Sequence, residues 1–198
     1  MRKWYLGKGA AIFVALILAL GLSGTMVFAA GPQPISLAPG QSEIIQLNSG
    51  HSLRIYKWTQ EQIKRAIATG KLPASVTGDP TYNLTFSNTS GGWNMQPYWE
   101  LDTSFTWSYS CSAGTSYGYN ANSTGYADYP YTESQFSATT SGNGTSTAYV
   151  DGQSLVNEQN YGSFTPFNNM TLNANGWLYY QSGDGLGDLY GWQGNYGC

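Results

Sequence analysis

The sequence predicts an all-β fold, an antiparallel β-sandwich or jelly-roll-like architecture with one short N-terminal helix. Three observations carry that prediction. In "WELDTSFTWSYSC", Leu101, Thr103, Phe105, Trp107, Tyr109 and Cys111 alternate with Glu100, Asp102, Ser104, Thr106 and Ser108, the period of a strand with one dry face. Turn chemistry recurs at Gly142-Asn143-Gly144, Asp151-Gly152 and Asn175-Gly176, each expected to close a hairpin. Aromatic residues make up 15% of the chain and charged residues only 10%, a balance that favours a folded core over disorder.

The N-terminus reads as a secretory leader over 1–30. Arg2, Lys3 and Lys8 precede the apolar run "AAIFVALILALGL", and small residues around Ala29 and Ala30 offer a cleavage site. The expectation is a secreted or cell-surface protein with a single domain over 31–198, long enough to bury a core. Within it, 31–58 reads as a strand segment, 59–70 as the helix and 80–198 as the main sheet body. "SEIIQL" and "SLRIYKW" flank "NSGH" as a hairpin. In "TQEQIKRAIATGKLP", Thr59 and Gln62 form a capping-box pair, Ile63, Ala66 and Ile67 share a face, and Gly70 and Pro73 end the helix. That helix is expected across the mouth of a sheet. About eight to ten strands are expected in all, with "SAGTSYGYNANSTGYADYPY" as a long loop and "SGDGLGDLYGWQGNYGC" as a Gly-rich tail.

Charge distribution excludes one class of partner. Beyond the leader the cations are Arg54, Lys57, Lys64, Arg65 and Lys71, and no Lys or Arg follows Leu72. A body with acids and no bases is a poor match for nucleic acid. The split between a cationic N-terminal region and an anionic body instead fits contacts within one molecule or between neighbours. The two cysteines, Cys111 and Cys198, are expected to pair in an oxidising compartment, with an intermolecular bond from the terminal Cys198 as the alternative.

Catalytic and binding candidates are few. Glu100 and Asp102 share one side of their strand, about 7 Å apart. "WELDTSF" is similar to the E-[ILV]-D-x-x-E strand motif of the laminarinase and lichenase-type glycoside hydrolases. That resemblance implies Glu100 as nucleophile and Asp102 as its modulator, while Ser104 and Phe105 stand where the family's acid/base Glu would fall. "ISLAPGQSEIIQL" resembles the early strands of secreted immunoglobulin-like sandwiches and implies architecture only. His51 is the single histidine, and no G-x-S-x-G elbow accompanies it. An acid carboxyl peptidase on a sandwich would draw on Glu133 or Glu158.

Asp184 and Asp188, in "GDGLGDLYG", are the candidate ligands of a calcium ion, the one cofactor the sequence admits. Trp93, Trp99, Tyr129, Trp177 and Trp192 are candidates for stacking on sugar rings. Sequons at Asn83, Asn88, Asn122, Asn143 and Asn169 are candidate glycosylation sites. With no complete catalytic set, the leading expectation is a non-enzymatic extracellular structural or surface-assembly protein. It would be a self-associating filament or matrix subunit whose partners are copies of itself or other cell-surface proteins, joined by strand addition. A carbohydrate-binding module taking polysaccharide and a sandwich-type hydrolase are the alternatives.

Overall fold

A computed structural model describes residues 33–48, 50–90 and 98–198. The expected leader and Trp93 lie outside the described residues. The strands are β1 (Gln33–Pro34), β2 (Ser42–Asn48), β3 (His51–Lys57), β4 (Thr81–Thr89), β5 (Trp99–Ser110) and β6 (Thr115–Ala127). They continue with β7 (Tyr131–Ser141), β8 (Thr147–Glu158), β9 (Gly162–Phe164), β10 (Phe167–Asn173), β11 (Trp177–Gly183) and β12 (Leu189–Asn195). The helix α1 spans Gln60–Ala68. A five-stranded sheet in the order β2-β3-β4-β5-β6 packs on a seven-stranded sheet in the order β1-β12-β11-β10-β8-β7, with β9 beside β8. Neighbours pair antiparallel except β1 and β12, which are parallel.

The period-two pattern sets the interior. Tyr82, Leu84 and Phe86 of β4 and Phe105, Trp107 and Tyr109 of β5 meet Val150, Met170, Leu172, Tyr180 and Trp192 from the opposite sheet. Each fully buried large side chain contributes roughly 1.5–3 kcal/mol. Trp107 donates its indole N–H to Ser116 Oγ (3.0 Å), so its one polar atom is satisfied.

Buried polar side chains tie the two sheets together. Asn168, fully buried on β10, donates to the Phe86 and Leu101 carbonyls and Thr103 Oγ1, and accepts from Tyr180 Oη (2.8 Å). Asn88 donates across to the Phe167 and Gly183 carbonyls.

Cys111 and Cys198 form a disulfide with Cα atoms 5.8 Å apart. It pins the C-terminus beside the end of β5, where Tyr109 Oη donates to the Gly197 carbonyl (2.8 Å). Helix α1 starts with the expected capping box between Thr59 and Gln62.

Four local expectations are corrected. The stretch expected as a long Tyr/Gly/Asn loop is β6 and the entry to β7. Its alternation is inverted: Ser116 and Gly118 face the core while Tyr117 and Tyr119 point outward beneath the helix region. The opposing sheet leaves room only for small residues there, since a Cβ on Gly118 would lie 2.9 Å from Val150 Cγ2. The Gly-rich tail contains β12, with Tyr190 and Trp192 in the core.

Asp151-Gly152 closes no hairpin but sits inside β8, opposite Asn169 and Asn168. There a Cβ on Gly152 would fall 2.1 Å from Thr103 Oγ1, so the glycine serves close sheet-to-sheet approach. Finally, α1 does not cross the mouth of a sheet. Ile63 is buried on it, and Ala66 packs with Leu72 and Val76 over Trp58, Tyr117 and Tyr119 on the outer side of the small sheet.

Candidate functional site

The alternation of β5 decides the setting of Glu100 and Asp102. Leu101 and Thr103 point into the sandwich, so the two acids point away from it, beside Tyr126 and Thr124 of β6. Ser87 donates to Asp102. Partial burial raises the Glu100 carboxyl, the Asp102 charge adds to this, and Arg54 opposes it. Neither acid lines the principal cleft.

Glu133 faces the other way, toward the interior. Ser154 donates to its Oε1, and its buried Oε2 has no partner among the described residues. A Cβ on Gly125 would come within 2.7 Å of that oxygen, so the bare glycine leaves room for the carboxylate. Burial, aided by the Glu100 and Asp102 charges, pushes the Glu133 carboxyl up to about 7. No Gln donates to Glu133 among the described residues.

The principal cleft, about 610 Å³, opens at one end of the sandwich between His51, Trp99, Tyr131, Glu158, Asp184 and Tyr190. His51 stacks on Tyr190 with centroids 4.3 Å apart and pairs through Nδ1 with Asn48 Oδ1 at 2.7 Å. Burial pushes its imidazole down to about 4, so it is neutral at neutral pH.

Asp184 Oδ1 accepts the backbone N–H groups of Leu186, Gly187 and Asp188, which uses the carboxylate to close its own turn. No group of three His, Cys, Asp or Glu side chains suited to a metal forms among the described residues.

The stacking candidates divide sharply. Trp99 and Trp192 are each only 4% exposed: Trp192 belongs to the main core and is corrected from a ligand-stacking to a packing residue, while Trp99 packs in a smaller cluster and also forms part of the wall of the principal cleft. Their neighbours explain this: Trp99 packs with Phe164, and Trp192 with Phe86. Tyr129 is 83% exposed, isolated in the turn after β6. Trp177 alone joins a ring array, on the outer face of the large sheet beside Tyr179, with centroids 6.1 Å apart and planes 16° from parallel. Sequence reasoning missed Tyr149 and Tyr179. Their signal was present as the polar phase of alternation against Val150 and Leu178.

Of the sequons, Asn88 is buried with its amide engaged and cannot accept a glycan in the folded chain. Asn143 is exposed, but its amide brackets Gly118 by two hydrogen bonds. Asn83 and Asn122 are exposed, and Asn169 is half-buried.

One further feature is a sheet margin. The outer edge of β12 is covered by β1 only at Gly194 and Asn195. Ile35 follows, donating its N–H to the Asn195 carbonyl (2.9 Å) and burying its side chain against Gly194. From Leu189 to Gln193 no strand among the described residues pairs with that edge. Comparison with protein families, with curated proteins and with solved structures finds no match for this chain.

Proposed function

We propose that this chain is an extracellular assembly subunit, joined to its neighbours by addition of an extended N-terminal segment to the edge of β12 that no described strand pairs. One observation carries the reading. The segment Gln33–Pro34 makes the single parallel pairing among the described strands, holds two residues of β12 and leaves Leu189 to Gln193 without a strand partner among the described residues. An unpaired strand edge exposes a row of N–H and C=O groups that templates another chain. The residues from Leu37 to Gln41, with Pro39 and Gly40, form a short connector between this segment and β2. The same segment from a second copy can therefore take the same place without new contacts, the low-cost exchange route to an assembly.

The chemistry of the exterior supports the reading. The disulfide suits an oxidising compartment, and the Ser, Thr, Asn and Tyr surface carries little charge to hold copies apart. Among the described residues no helix is long and apolar enough to cross a membrane.

The test is light scattering and negative-stain microscopy of purified protein lacking the leader, over a concentration series, beside a variant lacking 31–38. Concentration-dependent assemblies that vanish on deletion and are blocked by a peptide of 31–38 are expected. Strictly monomeric behaviour at high concentration, or assemblies indifferent to the deletion, refutes the reading.

A further inference from the structure

The outer face of the seven-stranded sheet carries a set of side chains that neither the core nor strand addition uses. Its composition follows from the same alternation that builds the core. On β8, β10 and β11 the inward residues are Val150, Met170, Leu172, Leu178 and Tyr180. The residues between them must then point outward. Register aligns these outward residues in rows across the strands. One row runs Tyr149, Thr171, Tyr179, Gln193, and the next runs Asp151, Asn169, Gln181.

Tyr149 and Tyr179 are 44% and 41% exposed, large rings held on a rigid sheet rather than on loops. Two strand spacings separate their backbones, about 9–10 Å. Thr171 lies between them and leaves a shallow trough. Trp177 extends the array along β11, nearly parallel to Tyr179.

We infer that this face binds a neutral polysaccharide built of pyranose rings with equatorial hydroxyls. Such rings present flat C–H faces that lie on aromatic rings, and their edges are hydroxyls that exchange hydrogen bonds with amides and carboxylates. Tyr149, Tyr179 and Trp177 supply the first kind of contact. Asn169, Gln181, Gln193 and Asp151 supply the second. Charge selects among polymers: the chain has no Lys or Arg after Leu72, so this face offers nothing to offset sulfate, phosphate or uronate groups. The site is independent of the β12 edge, because the rings point out of the sheet plane and the edge hydrogen-bonds within it.

The experiment is retention of the full chain without its leader on microcrystalline cellulose and on chitin, with affinity electrophoresis in a soluble mixed-linkage β-glucan. Retention on at least one of these probes is expected. Tyr179→Ala and Tyr149→Ala should each weaken it about tenfold, equivalent to about 1.4 kcal/mol. Tyr161→Ala, at a position 84% exposed in the turn between β8 and β9, should leave it unchanged. Thermal melts of each variant separate loss of binding from loss of fold. No retention on any probe overturns the inference, as does retention indifferent to both ring deletions. Loss of assembly in the Tyr179→Ala variant without glycan retention by the parent protein also overturns it, and assigns the face to contact between copies.

Discussion

Replacing Glu133 by Gln should turn a nearly level pH–stability profile into a rising one. In the folded chain the carboxyl sits against Gly125 and Ser154 and is pushed up to about 7, against 4.5 in a solvated chain. A raised carboxyl binds its proton more tightly when folded. Its contribution is therefore intact below about 4.5 and is lost as pH climbs toward 7.

The interval corresponds to a ceiling of about 3 kcal/mol. Because Glu133 is only part-buried, beside exposed Gly125, screening brings the expected cost to about 1–2 kcal/mol.

His51 works in the opposite sense. Its imidazole is pushed down to about 4 by burial, so its contribution is intact above 6.5 and is lost as pH falls toward 4. Between 4.5 and 6.5 the two slopes oppose each other in the parent protein.

Gln at 133 can still accept from Ser154 but carries no charge. Glu133→Gln should match the parent near pH 4.5 and exceed it at pH 7.5 by a few degrees in Tm, using about 2–4 °C per kcal/mol for a chain of this size. Calorimetric melts at pH 4.5, 5.5, 6.5 and 7.5 give the comparison. A difference between variant and parent that is constant with pH, or that favours the variant at low pH, refutes the argument.

Three further outcomes follow from the interior. Asn168→Leu removes the partner of Tyr180 Oη and the amide donations to two carbonyls and to Thr103 Oγ1, which keeps Ser123; it should lower stability by about 2–4 kcal/mol, read from the urea midpoint. Gly152→Ala forces a methyl onto Thr103 Oγ1 and should lose about 2–4 kcal/mol, whereas the double variant Gly152→Ala, Thr103→Ala, which removes both Thr103 atoms nearest that methyl, recovers part of that loss in the same titration. Reducing the Cys111–Cys198 bridge, which spans 87 residues, removes loop-closure constraint of about 4–5 kcal/mol; melts with and without reductant should differ by about 10 °C or more.

Much of the architecture could be read from residue order because alternation reports which side chains alternate between water and core. Tyr82, Leu84 and Phe86, the β5 run from Glu100 to Phe105, the Asn175-Gly176 hairpin and the capping box at Thr59 express local rules and stand where those rules place them, whereas Thr106 and Ser108, expected on the wet side of β5, are buried. The elements that escaped are those whose pattern depends on a partner distant in sequence. β6 reads as a loop because its small residues face inward, a choice made by the closeness of Val150. Asp151-Gly152 reads as a turn because nothing local announces Thr103 above it.

The candidate sites divide on the same line. That Glu100 and Asp102 share a face is a property of one strand, and the sequence determined it. That this face turns away from the sandwich, that Trp99 and Trp192 lie inside while Tyr149 and Tyr179 lie outside together, and that β12 forms a partly covered margin were decided by tertiary structure alone. Periodicity sorts residues into two phases along each strand. Which phase becomes core, and which strand becomes an edge, depends on how the sheets stack and on the order in which strands join.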